Sequence, residues 1–193
     1  MRFSPAFVLM VSSALAIAQA DLWSHVNRKF DTPQLASASV SDARLTAIRN
    51  LLRENRKSIG WNCGGEQLEE LLKGLTFETI PLSSSEDVLL VESGGGCARG
   101  GQGSNGAMWL VRFSHDTPQL IATPRDGFNG WIFAIQPFTS HGLRDIVLGW
   151  RMGADSGSLN YFKFDGRLYR GVGSATYNVD ENDTLKIQPI ASQ

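Results

Sequence analysis

The sequence has few of the residues that build metal centres and thiol active sites. It contains 2 cysteines and 3 histidines in 193 residues. The histidines, His25, His115 and His141, are scattered, and no H-E-x-x-H motif or paired-ligand spacing is present. We therefore predict no metal site and no bound cofactor.

The sequence also lacks an excess of either charge and, after its beginning, any long apolar run. Its 18 Lys and Arg residues nearly balance 19 Asp and Glu residues, which leaves a formal net charge of -1. This balance gives no electrostatic reason to expect nucleic acid or an anionic membrane as a partner. No later segment approaches the roughly 20 apolar residues that a membrane-spanning helix needs. We expect neither a nucleic-acid partner nor a membrane span.

The first residues have the pattern of a secretory signal peptide. Arg2 supplies the positive start, residues 7–17 are apolar apart from two serines, and Ala18-Gln19-Ala20 offers a small-x-small cleavage pattern. We predict that residues 1–20 are a cleaved leader and that residues 21–193 form one exported domain, either periplasmic or secreted.

The two cysteines, Cys63 and Cys97, both belong to the predicted exported domain. In an oxidising compartment they most simply form one disulfide. The alternative is a reactive thiol, since Cys63 precedes a predicted helix whose dipole favours the thiolate. We favour the disulfide because the sequence has no C-x-x-C motif and no base next to either cysteine.

Helices are predicted only near the start of this domain, after an irregular lead-in over residues 21–40. Ser41 or Ser39 can cap a helix that runs to about Ser58, because its apolar residues follow a three-and-four spacing. A shorter helix is predicted over residues 66–73, with Gly74 as a left-handed stop.

Beyond residue 75 the apolar pattern becomes that of short strands separated by glycine-rich turns. The Asp165-Gly166 pair between two apolar runs is the strongest hairpin signal. Predicted strands cover residues 76–81, 87–92, 107–113, 119–122, 131–138, 145–151, 159–164, 167–173 and 185–187. Helices followed by strands without further helices predict an α+β domain with two N-terminal helices and an antiparallel, meander-rich sheet, whether open sheet, sandwich or partial barrel.

One glycine-rich stretch matches the dinucleotide-binding pattern G-x-G-x-x-G, as Gly101-Gln102-Gly103-Ser104-Asn105-Gly106. That chemistry requires a helix directly after the last glycine, but the residues that follow have the character of a strand. We therefore predict no nucleotide cofactor here. The wider segment, residues 94–106, is either a plain connector or a binding loop held by Cys97, in which case Gly101, Gly103 and Asn105 are binding residues.

Two aromatic residues, Phe128 and Trp131, lie at a predicted turn. Phe128 is within the turn sequence 126–130, and Trp131 follows it directly. Bulky aromatics usually build a core. An exposed aromatic beside a glycine turn would instead anchor a partner. We therefore include Phe128 and Trp131 among the candidate binding residues.

The segment of residues 140–149, with 159–166 after it, resembles one blade of the FG-GAP/VCBS repeats of β-propellers. The strand Asp145-Ile146-Val147-Leu148-Gly149 matches, but Ser140, His141 and Leu143 stand where the calcium-binding acids of that family belong. The resemblance therefore implies a single degenerate blade without calcium. Ser156-Gly157 before Tyr161 is similar to the S-G-x-x-Y loop of small periplasmic lysozyme inhibitors, with one residue too many. The overall layout resembles that of exported bacterial domains.

No catalytic residue is assigned, because the sequence contains neither G-x-S-x-G nor S-x-x-K. The preferred function is an exported binding or inhibitor-like module that acts on an envelope or secreted protein through its glycine-rich loop and turn aromatics. The alternative is a secreted hydrolase with a dispersed acid/base pair. It requires a concave pocket that holds two carboxylates, or a histidine and a carboxylate, within hydrogen-bond reach of a common point. A purely structural envelope protein is the third possibility.

Overall fold

The structure, a computed structural model, describes residues 22–29, 32–59, 63–94, 97, 106–114 and 116–191. The predicted leader, residues 1–20, and the candidate residues Gly101, Gly103 and Asn105 lie outside these ranges. Of the described residues, 51% are in strands and 21% in helices. None of the described helices is both long enough and apolar enough to cross a membrane.

A single antiparallel sheet dominates the fold. Its ten strands are β1 (Ala36–Ser37), β2 (Leu75–Thr79), β3 (Asp87–Ser93), β4 (Gly106–Ser114), β5 (Thr117–Ala122), β6 (Asn129–Ser140), β7 (Leu143–Arg151), β8 (Ser156–Phe164), β9 (Tyr169–Val179) and β10 (Leu185–Ile190). The spatial order is β1-β2-β3-β4-β6-β7-β8-β9-β10, and β5 pairs with β4 beside this path. Neighbours in the chain are mostly neighbours in the sheet, as the short turns between the predicted strands require.

The predicted α+β class with two N-terminal helices is wrong, and the protein is largely β. Among the described residues, the two longer α-helices are α1 (Asp42–Glu54) and α2 (Glu66–Lys73), but β1 precedes both of them and pairs with β2. The helices are therefore insertions between strands of one sheet and do not form a separate N-terminal layer.

The helix ends agree with the sequence at the start of α1 and differ from it after α2. The Ser41 hydroxyl caps α1 by accepting the Arg44 amide at 3.4 Å. A 3-10 turn, Arg56–Ile59, follows α1. Gly74 ends α2 with φ -90° and ψ 19°, so the predicted left-handed stop is wrong. The turn is closed instead by the Gly74 amide, which donates to the carbonyls of Glu70 and Leu71.

The sheet bends so that its two halves share a central core. Leu90 and Met108 of the first half lie in one cluster with Ile146 and Phe162 of the second. Gly106 of β4 and its neighbour Ala107 pair with the start of β6, and this short ladder joins the halves. A second cluster lies between the first half and the two helices.

A third cluster covers the outer face of the second half and uses the beginning of the described chain. Trp23 is 1% exposed, and its ring meets the Tyr161 ring edge to face with the centroids 6.0 Å apart. Val26 is also buried there. The predicted irregular lead-in is therefore part of the core, because its few large apolar residues cover strands that the helices leave open.

The predicted hairpin at Asp165-Gly166 is confirmed, with β8 and β9 as its strands. Gly166 has φ +97°, in the left-handed region that glycine adopts at little cost. The Asp165 carboxylate accepts the amides of Leu168 and Arg167 at 2.7 and 2.8 Å. These backbone hydrogen bonds lower the pKa of Asp165, because they stabilise its charged form.

Candidate functional site

Phe128, one of the two candidate aromatic anchors, is fully buried. Its exposed fraction is 0%, and its ring packs edge to face on Phe162 with the centroids 5.5 Å apart. Gly127, with φ +86°, turns the chain so that Phe128 enters the central core. Phe128 is therefore a core residue, and its prediction as a surface anchor is wrong.

Trp131, the other candidate, remains partly exposed near the start of β6. Trp131 pairs with Gly149 of β7, and a Cβ atom at position 149 would overlap the indole. The indole therefore lies flat on the backbone at Gly149. The Arg151 guanidinium lies 5.9 Å from its ring centroid. Glycine at position 149 and arginine at position 151 thus fix the orientation of Trp131.

The predicted disulfide between Cys63 and Cys97 is present, with the Cα atoms 5.7 Å apart. Cys63 lies shortly before α2 and packs in the helix-covered core. Cys97 follows β3, at the beginning of the glycine-rich segment. The bond therefore ties this segment to the helices, and a disulfide is typical of an oxidising environment such as the cell exterior.

A groove of about 230 Å³ lies next to Trp131, and we call it the acidic groove. β2, β3 and the start of β6 form it together with the described residues 32–35. Its lining residues are Thr32, Pro33, Gln34, Leu35, Glu78, Leu90, Glu92, Trp131 and Ile132. Two of these nine described residues are acids, and none of the nine is basic.

The strand register brings Glu78 and Glu92 together. Glu78 of β2 lies opposite Leu90 of β3, and Thr76 lies opposite Glu92. The two glutamates are thus diagonal neighbours on one face of the sheet, where backbone positions are about 7–8 Å apart and long side chains meet. That face also carries Leu90, which belongs to the central core. The pair therefore lies at the mouth of the apolar interior.

This position changes the pKa of the Glu92 carboxyl group. Burial raises the pKa of Glu92, and the negative charge of Glu78 raises it further. Both effects penalise the ionised carboxylate, the first by removing water and the second by repulsion between like charges. A positive group placed between Glu78 and Glu92 would offset both.

The candidate glycine-rich loop begins and ends close to the acidic groove. Glu92 is two residues before Gly94, the last residue described before Cys97. Gly106, at the other end, pairs with Gly130, the residue before Trp131. The structure thus brings the groove, Trp131 and both described ends of the loop to one region of the sheet.

Glu78 and Glu92 are not among the site residues predicted from the sequence. A signal for Glu92 exists, because in the alternation of β3 it shares a face with Val88 and Leu90, which are both buried. An acid on an otherwise apolar strand face is unusual and marks a site worth testing. No such signal exists for Glu78, whose importance depends on the pairing of β2 with β3.

Asp145, from the strand that resembles a propeller blade, has a structural environment. It is 1% exposed, and its carboxylate accepts the Ser140 hydroxyl at 2.7 Å and the Tyr161 hydroxyl at 3.2 Å. The Lys163 ammonium lies 4.0 Å away. Among the residues that the structure describes, no group of three or more His, Cys, Asp or Glu side chains is arranged to hold a metal ion.

Comparison with known proteins adds no assignment. No family model, no curated protein and no solved structure matches the chain. The resemblances of residues 140–149 and of Ser156-Gly157 to known families therefore stay predictions. The fold and the acidic groove are the basis for a proposed function.

Proposed function

We propose that the protein is an exported binding module, inhibitor-like in its action, whose acidic groove receives a basic side chain of an envelope or secreted protein. The observation that carries this proposal is the partly buried Glu92 carboxylate with Glu78 beside it, in a groove whose described lining residues include no base. The disulfide supports the exported location, and residues 1–20 have the pattern of the leader that export requires.

A cationic ligand fits the electrostatics of the acidic groove. Each glutamate raises the free energy of the other when both are ionised, and a guanidinium or ammonium group would remove this repulsion. A hydrogen bond that involves a charged group typically contributes about 1.5–3 kcal/mol. Two carboxylates on one face offer a guanidinium more than one acceptor, which favours arginine over a neutral side chain.

The size of the acidic groove favours a side chain over a free metabolite. Its volume of about 230 Å³ lies below the range of about 300–1,000 Å³ that is typical of small-molecule pockets. A groove of this size instead suits one projecting residue of a larger partner. The partly exposed Trp131 at its rim would add contact area around such a residue, as tryptophan does at the centre of many interfaces.

The first experiment is an NMR titration of the 21–193 domain, with its disulfide formed, using N-acetyl-arginine amide as the probe. The matched neutral probe is N-acetyl-citrulline amide, which has nearly the same shape without the charge. We expect the arginine probe to shift resonances at residues 32–35, Glu78 and Glu92, and to bind about tenfold or more tighter than citrulline.

Two variants and one control locate this binding. Glu92→Gln and Glu78→Gln should each weaken the arginine probe without unfolding the domain, because both substitutions preserve shape. Glu181→Gln changes the same charge in an exposed turn away from the groove and should leave binding unchanged. Equal binding of the two probes, or shifts that persist in the double Glu78→Gln, Glu92→Gln variant, would contradict the proposal.

A second candidate function is favoured by the raised pKa of Glu92 beside another carboxylate. A carboxyl group with a raised pKa beside a second carboxylate is one feature of hydrolase acid/base pairs. The acidic groove holds two such side chains, and its small volume is the argument against this candidate. A panel of chromogenic glycosides and esters tests this candidate. We would expect turnover that Glu92→Gln abolishes while substrate binding persists, and turnover that this variant leaves intact would eliminate Glu92 as the acid.

A further inference from the structure

A second groove, of about 450 Å³, lies between the end of α1, strand β5, and the β8–β9 hairpin. We call it the arginine groove, because Arg125 and Arg167 line it. Both arginine residues are exposed. It shares no lining residue with the acidic groove, so it is a separate candidate site.

The lining of the arginine groove includes apolar as well as polar surface. Leu51 of α1, Leu120 of β5 and Leu168 of the hairpin all line it and are only partly buried. Three leucines from three different elements thus leave a shared patch of apolar surface uncovered. A ligand with an apolar body would remove this patch from water.

Arg125 is held at the rim of the groove by the backbone. Its Nη1 atom donates to the carbonyl oxygen of Lys57, at a donor–acceptor distance of 3.4 Å. This contact uses one of the five N–H groups of the guanidinium, and a carboxylate or phosphate can accept from the others. Arg125 is therefore positioned without being neutralised by the Lys57 contact, since a carbonyl carries no net charge.

The one acid that lines the groove is already compensated. Asp126 accepts the Thr123 hydroxyl at 2.7 Å through one oxygen. Its other oxygen forms an ion pair with Arg170 at 3.1 Å. Arg125 and Arg167 therefore give the groove an excess of positive charge.

We propose that the arginine groove binds a small amphipathic carboxylate, with the anionic head on Arg125 and Arg167 and the apolar chain on the three leucines. The volume of the groove lies within the range typical of small-molecule sites. Head and tail contribute separately to this recognition, because the charged and the apolar surfaces are formed by different residues. The proposal does not depend on the function assigned to the acidic groove.

The test is calorimetric titration of the 21–193 domain with octanoate, octanol and acetate. Octanol keeps the chain without the charge, and acetate keeps the charge without the chain. We expect octanoate to bind and each of the other two to bind about tenfold or more weakly. No heat from octanoate at concentrations up to about 10 mM, or equal binding of octanol, would overturn the proposal.

Variants then assign the site. The double substitution Arg125→Gln, Arg167→Gln should weaken octanoate about tenfold or more. Arg28→Gln makes the same charge change on an exposed residue elsewhere and serves as the control. Unchanged octanoate affinity in the double variant, with the fold confirmed by its thermal unfolding, would show that the ligand binds elsewhere.

Discussion

The disulfide allows the most quantitative prediction, because removing it changes the unfolded chain more than the folded one. We consider the double substitution Cys63→Ala, Cys97→Ala. The two cysteines are 34 residues apart in the chain, and their Cα atoms lie 5.7 Å apart, which is an ordinary separation for a disulfide. Alanine at both positions opens this loop and leaves the sheet unaltered.

The size of the effect follows from the length of the loop. For a separation of 34 residues, the chain-entropy relation gives a loss of about 4 kcal/mol in the free energy of unfolding. For a chain of this size, each kcal/mol corresponds to about 2–4 °C in the melting temperature. We therefore expect the double variant to melt about 8–16 °C below the wild-type protein. Packing adds to this loss, because Cys63 is only 8% exposed in the helix-covered core.

Differential scanning calorimetry of both proteins, with and without reductant, measures the difference. Reductant should lower the melting temperature of the wild type towards that of the variant and should leave the variant itself unchanged. A difference of less than about 2 °C between the oxidised wild type and the variant would refute the reasoning. It would mean that the unfolded chain is already restricted in this region, or that the bond strains the native state.

Two further predictions concern the carboxylates of Asp145 and Glu92, and urea unfolding measures both. Asp145→Ala should lower stability by about 1–3 kcal/mol, because the Tyr161 hydroxyl loses its acceptor, whereas Asp145→Asn, which keeps one, should cost less. Equal losses would exclude this hydrogen bond as the cause. The folded pKa of Glu92 is raised, so the folded state binds more protons, and stability falls as pH rises from about 4.5 through that raised pKa. Glu92→Gln should remove this contribution to the pH dependence, so the variant should become more stable relative to the wild type as the pH approaches neutrality. Identical pH slopes for the two proteins would contradict a raised pKa of Glu92.

The strands could be predicted because their signals are local. Short continuous apolar runs mark β3, β4 and β7, and Asp165-Gly166 marks the turn between β8 and β9. β1 is only two residues long, and nothing in its sequence distinguishes it from a loop. It exists because β2 offers it an edge, so its position depends on tertiary pairing. The predicted fold class is wrong because strands hold 51% of the described residues and helices only 21%, so the sheet dominates the fold.

The burial of the aromatic residues is harder to predict from the sequence than the positions of the strands. Phe128 and Trp131 are three residues apart beside the same glycines, yet the first is fully buried and the second is partly exposed. The difference follows from the left-handed turn at Gly127 and from the pairing of Trp131 with Gly149 on a neighbouring strand. Proximity to a turn therefore does not determine the exposure of a side chain. The strand register does, and a single sequence does not reveal it.

The nearly balanced net charge excludes fewer kinds of binding partner than it first suggests. A net charge of -1 argues against partners that are attracted by the field of the whole protein, such as nucleic acid. It does not describe how the charges are distributed. Folding places Glu78 and Glu92 in one groove and Arg125 and Arg167 in another, so two surfaces of opposite sign cancel in the total. Within a groove the nearest charges dominate, because solvent and salt screen the distant ones over about 10 Å. Ligands of either sign therefore have a physical basis for binding to this nearly neutral protein.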